Sequence, residues 1–146
     1  MRILSTEFFL MASMDDKVAR FLKYQFPVIF WGLLIAVVSS IPKISQPIPS
    51  IPHADKAAHF LEYAVFAYLM CRALFYSAQP HHLSRPVIMA ILFCAVFAAG
   101  DELHQLFIPG RSGSFSDFIA DSLGILSALI LFYFRHDKIA SAGESS

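Results

Sequence analysis

Apolar residues gather into four long blocks along this chain, at about 24–41, 57–75, 86–107 and 115–134, with polar stretches between them. Each block is close to the roughly 20 residues an α-helix needs to cross the hydrocarbon core of a bilayer. The pattern predicts an all-α membrane protein, an antiparallel four-transmembrane-helix bundle. The first block is the shortest and carries Pro27 near its start, where a proline costs a helix least. The third is apolar only from Val87 to Gly100, so its last turns need shielding by protein or water.

The polar interruptions follow helical spacing. Asp55, His59 and Glu62 share one stripe of the second helix. Asp101 and Gln105 share a stripe of the third, with Glu102 at its edge. On the fourth, Asp117 and Asp121 align with Gly124 and Ala128. Antiparallel neighbours bring the start of the second helix, the end of the third and the start of the fourth to one membrane face. Glu62 lies about 10 Å along its helix from Asp55, at 1.5 Å per residue, below the headgroups. An ionisable group at such a depth costs roughly 2.5–3.5 kcal/mol on insertion scales and needs named partners. The expectation is a polar pocket open to one side.

Two ridges of small residues, Gly32-Ala36-Ser40 and Ala120-Gly124-Ala128, allow close helix approach. The ends of the helices carry charges of the wrong sign for the macrodipole, Lys56 in a first turn and Asp101 and Glu102 near a last turn. They are expected to neutralise one another across helices, with Arg111 assisting. Ser114-Phe115-Ser116-Asp117 reads as a capping box, and Pro109-Gly110-Arg111 as a turn.

Composition adds orientation. The chain has 146 residues, 57% hydrophobic and 15% charged, and its formal net charge is zero, so nothing supports nucleic acid as a partner. Arg2, Lys17, Arg20, Lys23, Arg72, Arg85, Arg135 and Lys138 fall on one side of the predicted topology; Lys43, Lys56 and Arg111 fall on the other. The positive-inside rule then places both termini in the cytoplasm and the pocket outward. The organisation expected is a cytoplasmic segment 1–23, a membrane domain 24–134 and a short disordered cytoplasmic tail 135–146. Met11 and Met14 compete with Met1 as the start, and no signal-peptide cleavage pattern follows. Cys71 and Cys94 sit apart, in no metal or redox spacing, and read as small buried apolar residues. His53, His81 and His82 read as loop residues, His104 as an interfacial one. No cofactor signature and no strict metal motif is present, so no cofactor and no metal is assigned.

Three explanations of the polar cluster stay open. It binds an envelope-related polar or anionic ligand, with Lys56 and Arg111 gripping a phosphate or carboxylate. It is catalytic, with Asp101, Glu102 and His59 in acid–base or metal-assisted work. Or it staples helix ends in an ion network. The candidate ligand-binding residues are Lys56, His59, Glu62, Asp101, Glu102, Gln105, Arg111, Asp117 and Asp121.

At these residues the chain resembles the VanZ-like family. The matching pattern is Asp55-Lys56-x-x-His59-Phe60-x-x-Tyr63, then Asp101-Glu102-x-x-Gln105-x-Phe107-x-Pro109-Gly110-Arg111, then Ser114-x-x-Asp117 and Asp121-x-x-Gly124. It extends over roughly 31–132. The family pattern usually has Asn where this chain has Asp121, an added carboxylate in the pocket. The resemblance implies a multi-pass protein of the bacterial inner membrane with the lipid bilayer as its surroundings. It also implies a cell-envelope role, since the namesake is linked to low-level resistance to the glycopeptide teicoplanin. The ligand class so implied is an envelope lipid, peptide or glycopeptide, and the resemblance carries no settled reaction.

Overall fold

The computed structural model describes residues 15–42, 53–78 and 83–143. The candidate starts Met1, Met11 and Met14, the loop residues Lys43, His81 and His82, and the last three residues of the expected tail lie outside the described residues. Four helices, α1 (Asp15–Ser39), α2 (Ala54–Ala78), α3 (Ser84–Gln105) and α4 (Phe115–Gly143), form the bundle, and each is long and apolar enough to cross a membrane. No strand occurs among the described residues.

Two helices outrun their apolar blocks. α1 starts at Asp15, nine residues before the expected span, and α4 continues to Gly143, through most of the segment expected to be a disordered tail. Hydropathy marks where a helix meets lipid, not where it stops. The residues after Phe134 contain no proline and only one glycine, so hydrogen bonding propagates into water at little cost.

α2 is the centre of the bundle. It shares its largest interface with α4 and also packs on α3 and α1; α3 bridges to α4 and, lightly, to α1. Core residues from α2 are Tyr63, Phe66, Ala67 and Cys71, and from α4 Ile125, Leu129 and Phe132. α3 contributes Ala90, Cys94 and Ala98 at a spacing of four, a flat seam against which larger side chains close. Both cysteines are fully buried and unpaired, as expected of small apolar residues. On the opposite faces, Leu33, Leu92, Val96, Leu123, Ile130 and Phe134 are exposed on three different helices, the surface that lipid covers.

Pro27 has a structural consequence. Around it α1 widens to one π-turn at Phe21–Gln25, where the Phe26 amide reaches back to the Phe21 carbonyl. Having no N–H, Pro27 makes no helical hydrogen bond to the turn before it. Arg72 of α2 donates to the Lys23 carbonyl at 2.7 Å. Nearby, Arg20 donates to the Tyr76 carbonyl (2.8 Å) and Gln25 to the Ser77 hydroxyl (2.8 Å). Tyr24 stacks on Tyr76, and Phe75 packs edge-on against His136. These contacts join the start of α1 to the ends of α2 and α4, so the chain runs up and down through the bundle. Lys23, Arg72 and Arg135 line one cavity at this end. The opposite end holds the carboxylates singled out in the sequence.

Candidate functional site: a carboxylate-rich cup

The loop between α3 and α4 decides how the second end is built. The end of α3 is satisfied by tight turns: the Phe107 amide bonds the His104 carbonyl and the Ile108 amide that of Gln105. The chain then folds back across the last turn of α3. Gly113 permits this approach, since a Cβ there would collide with the Glu102 carbonyl and the Leu106 side chain. The Ser114 amide is thereby brought to the Glu102 carboxylate and donates to Oε2 at 2.7 Å. Glu102, at the wrong end of its helix for the macrodipole, is held by a backbone donor from the next helix's approach. Its neighbour Asp101 accepts from the Gln105 amide group at 3.1 Å, within one turn of α3.

Across from them, α2 and α4 touch backbone to backbone at Gly124, where any Cβ would meet the Phe60 carbonyl. That closeness brings His59 and Asp121 together: His59 Nδ1 lies 3.0 Å from Asp121 Oδ1 and 3.8 Å from Glu102 Oε1. Donor atoms of His59, Glu102 and Asp121 all lie within 4.8 Å of one another. Asp121 is wholly buried, and Asp101, Glu102, Gln105 and Asp117 are nearly so. Asp121 Oδ2, Glu102 Oε1 and the Tyr63 hydroxyl are buried with no hydrogen-bond partner. Such atoms are costly in any fold and more so in lipid.

The cations are committed elsewhere. Lys56 donates to Asp117 at 2.8 Å and lies 3.6 Å from Asp55. Arg111 donates through Nε to the Ile41 carbonyl (3.0 Å) and through Nη2 to the Val38 carbonyl (2.6 Å). It caps the C-terminus of α1, where both its charge and its donors suit the exposed carbonyls. The expected neutralisation of Asp101 and Glu102 by Lys56 and Arg111 therefore does not form. Nor does the capping box: the Asp117 amide bonds the Ser114 carbonyl, the Ser114 hydroxyl pairs with that of Ser116, and the Asp117 carboxylate turns to Lys56. A cross-helix cation outcompetes the local cap.

Of the residues singled out in the sequence, His59, Glu102 and Asp121 converge directly. Glu62 is half-buried on the same stripe of α2, and Asp101 and Gln105 form a bonded pair beside the cluster. Lys56 and Asp117 close the rim. Arg111 stands apart, on α1. His104, exposed, pairs with Ser40 at 3.0 Å, an interfacial role. Tyr63 is absent from the candidates drawn from the sequence, although its place four positions after His59 puts it on the same face, one turn deeper.

Comparison with known proteins now settles the family. The VanZ/LLP1 family model matches residues 6–136. The chain belongs to the VanZ/LLP1 family. Among curated proteins, this VanZ-family chain is 27% identical over 107 residues to an uncharacterized protein of Schizosaccharomyces pombe, C11E3.10. The match covers 73% of this chain and 62% of the yeast protein, so the chain spans less than two thirds of that relative's length. No solved structure matches. Family and helices together make this a multi-pass membrane protein.

Proposed function

We propose that this VanZ-family protein uses the carboxylate-rich cup to capture a polar ligand that presents positive charge or hydrogen-bond donors, in a recognition role at the cell envelope. One observation carries the reading. The cup holds two buried carboxylate oxygens, Asp121 Oδ2 and Glu102 Oε1, that accept nothing, while both nearby cations are spent on other partners. An anionic ligand would have to displace Asp117 from Lys56 or the α1 carbonyls from Arg111, then sit beside the remaining carboxylates. A donor or cation meets acceptors already in place and relieves their desolvation. In this reading Lys56–Asp117 and Arg111 are the staples of the site, and His59, Glu62, Asp101, Glu102, Gln105 and Asp121 are its lining.

The test is mass spectrometry of small molecules and lipids that copurify with the wild type and with a Glu102→Gln/Asp121→Asn double variant. The expected result is that cationic or amine-bearing species are retained by the wild type and lost from the variant. Retention of an anionic species by both, lost only on Arg111→Lys, would overturn the proposal.

A further inference from the structure

We infer that the deepest part of the cup, His59, Glu102 and Asp121, is a binding site for a divalent metal ion of the zinc or manganese type; this rests on the reading above, that the cup takes positive charge. The three residues come from three helices, and the bundle holds them in register by separate means. Gly124 sets the α2–α4 spacing beside His59 and Asp121, and the Ser114 amide holds Glu102 by its far oxygen, leaving Oε1 directed at the imidazole.

The distances suit an ion. Ligand atoms bound at about 2.1 Å in a tetrahedral shell lie about 3.4 Å apart. The imidazole nitrogen stands 3.0 Å and 3.8 Å from the two carboxylate oxygens, on either side of that value. The donor atoms of all three residues lie within 4.8 Å of one another, so contraction about an ion brings the remaining edge to the tetrahedral spacing. Imidazole with two carboxylates is a mixed donor set that suits zinc, manganese or iron(II); magnesium and calcium prefer oxygen alone.

Charge argues the same way. Two buried carboxylates with a neutral imidazole carry a double negative charge at membrane depth, and protonating the imidazole offsets half of it. A divalent ion offsets all of it and at the same time gives a partner to Glu102 Oε1, which has none. Three protein ligands leave a fourth position for water or ligand, the arrangement of open rather than structural sites. Tyr63, one turn below His59, has a buried hydroxyl with no partner, a spare donor or acceptor on the same stripe of α2.

The experiment uses the full chain in detergent, stripped with chelator and titrated calorimetrically with Zn²⁺ and Mn²⁺. One equivalent of one of these ions is expected to bind. Asp121→Asn and His59→Ala should each weaken binding at least tenfold, whereas Asp55→Asn, on the exposed rim, should leave it unchanged. Absence of saturable binding, or binding that survives both substitutions, overturns the inference. Should a variant fail to fold, X-ray absorption of zinc-loaded wild type decides. A shell of one imidazole with oxygens supports the site, and thiolate ligation by Cys71 or Cys94, or an all-water shell, overturns it. If no metal binds yet an amine-bearing species is still lost from the Glu102→Gln/Asp121→Asn variant, only the metal falls. If neither binds, the cup reading falls with it.

Discussion

Arg111 shows how much one side chain's partners can change its reading. Its sequence context, after Pro109-Gly110 at the rim of a polar pocket, suggests an anion grip. In the fold its guanidinium spans two carbonyls at the end of α1, a task for a planar fork rather than a point charge. Arg111→Lys is therefore expected to lower stability in detergent by about 1 kcal/mol through the loss of one of two charge-assisted hydrogen bonds. Thermal unfolding checks this; an unchanged midpoint with selectively lost ligand retention would return Arg111 to the site. His59, Glu102 and Asp121 were legible as candidates because acid and imidazole at helical spacing inside apolar blocks have few structural excuses. Which counter-charge each would meet was not legible. Lys56 had several carboxylates within reach of its flexible stem, and the choice of Asp117 depends on helix separation, which periodicity does not encode.

At the scale of elements, the small-residue ridge of α4 proves specific to one residue. Gly124 abuts the α2 backbone directly, so Gly124→Val should force the two helices apart, with a cost of about 1–3 kcal/mol typical of overpacking. The opposite outcome is expected at Gly100 on α3, where an added Cβ meets nothing within 4 Å. Gly100→Ala should stabilise by roughly 0.5–1 kcal/mol through helix propensity alone. Thermal melts of the two variants in the same detergent check both signs. The four helices and their polarity were legible because a bilayer dictates both length and hydropathy. The helix ends were not. Asp15–Lys23 and residues 135–143 are polar enough to resemble linkers, yet the helices propagate through them beyond the apolar blocks. The π-turn at Phe21–Gln25 was equally hidden, although Pro27, which has no N–H to give, was in plain view.

For the whole molecule, the separation of charge is the main result. Lys17, Arg20, Lys23, Arg72 and Arg135 occupy the end where α1 begins, together with Asp15 and Asp16, and the carboxylates of the site occupy the end where α4 begins. The positive-inside rule then predicts that the cup faces away from the cytoplasm. Single cysteines at Ser116 and Lys17, both exposed, report this directly, because native Cys71 and Cys94 are too buried to react. In intact cells a membrane-impermeant maleimide should label Ser116→Cys, and Lys17→Cys only after permeabilisation. The reverse pattern would turn the cup inward.

The backbone contact at Gly124 also governs traffic. A seam between α2 and α4 with no side chain to swing aside offers no lateral gate to the lipid at that height. Among the described residues, an approach to Asp121 from the rim passes the Lys56–Asp117 pair and the Ser114 turn. Opening of that pair is then the step that governs exchange along this approach.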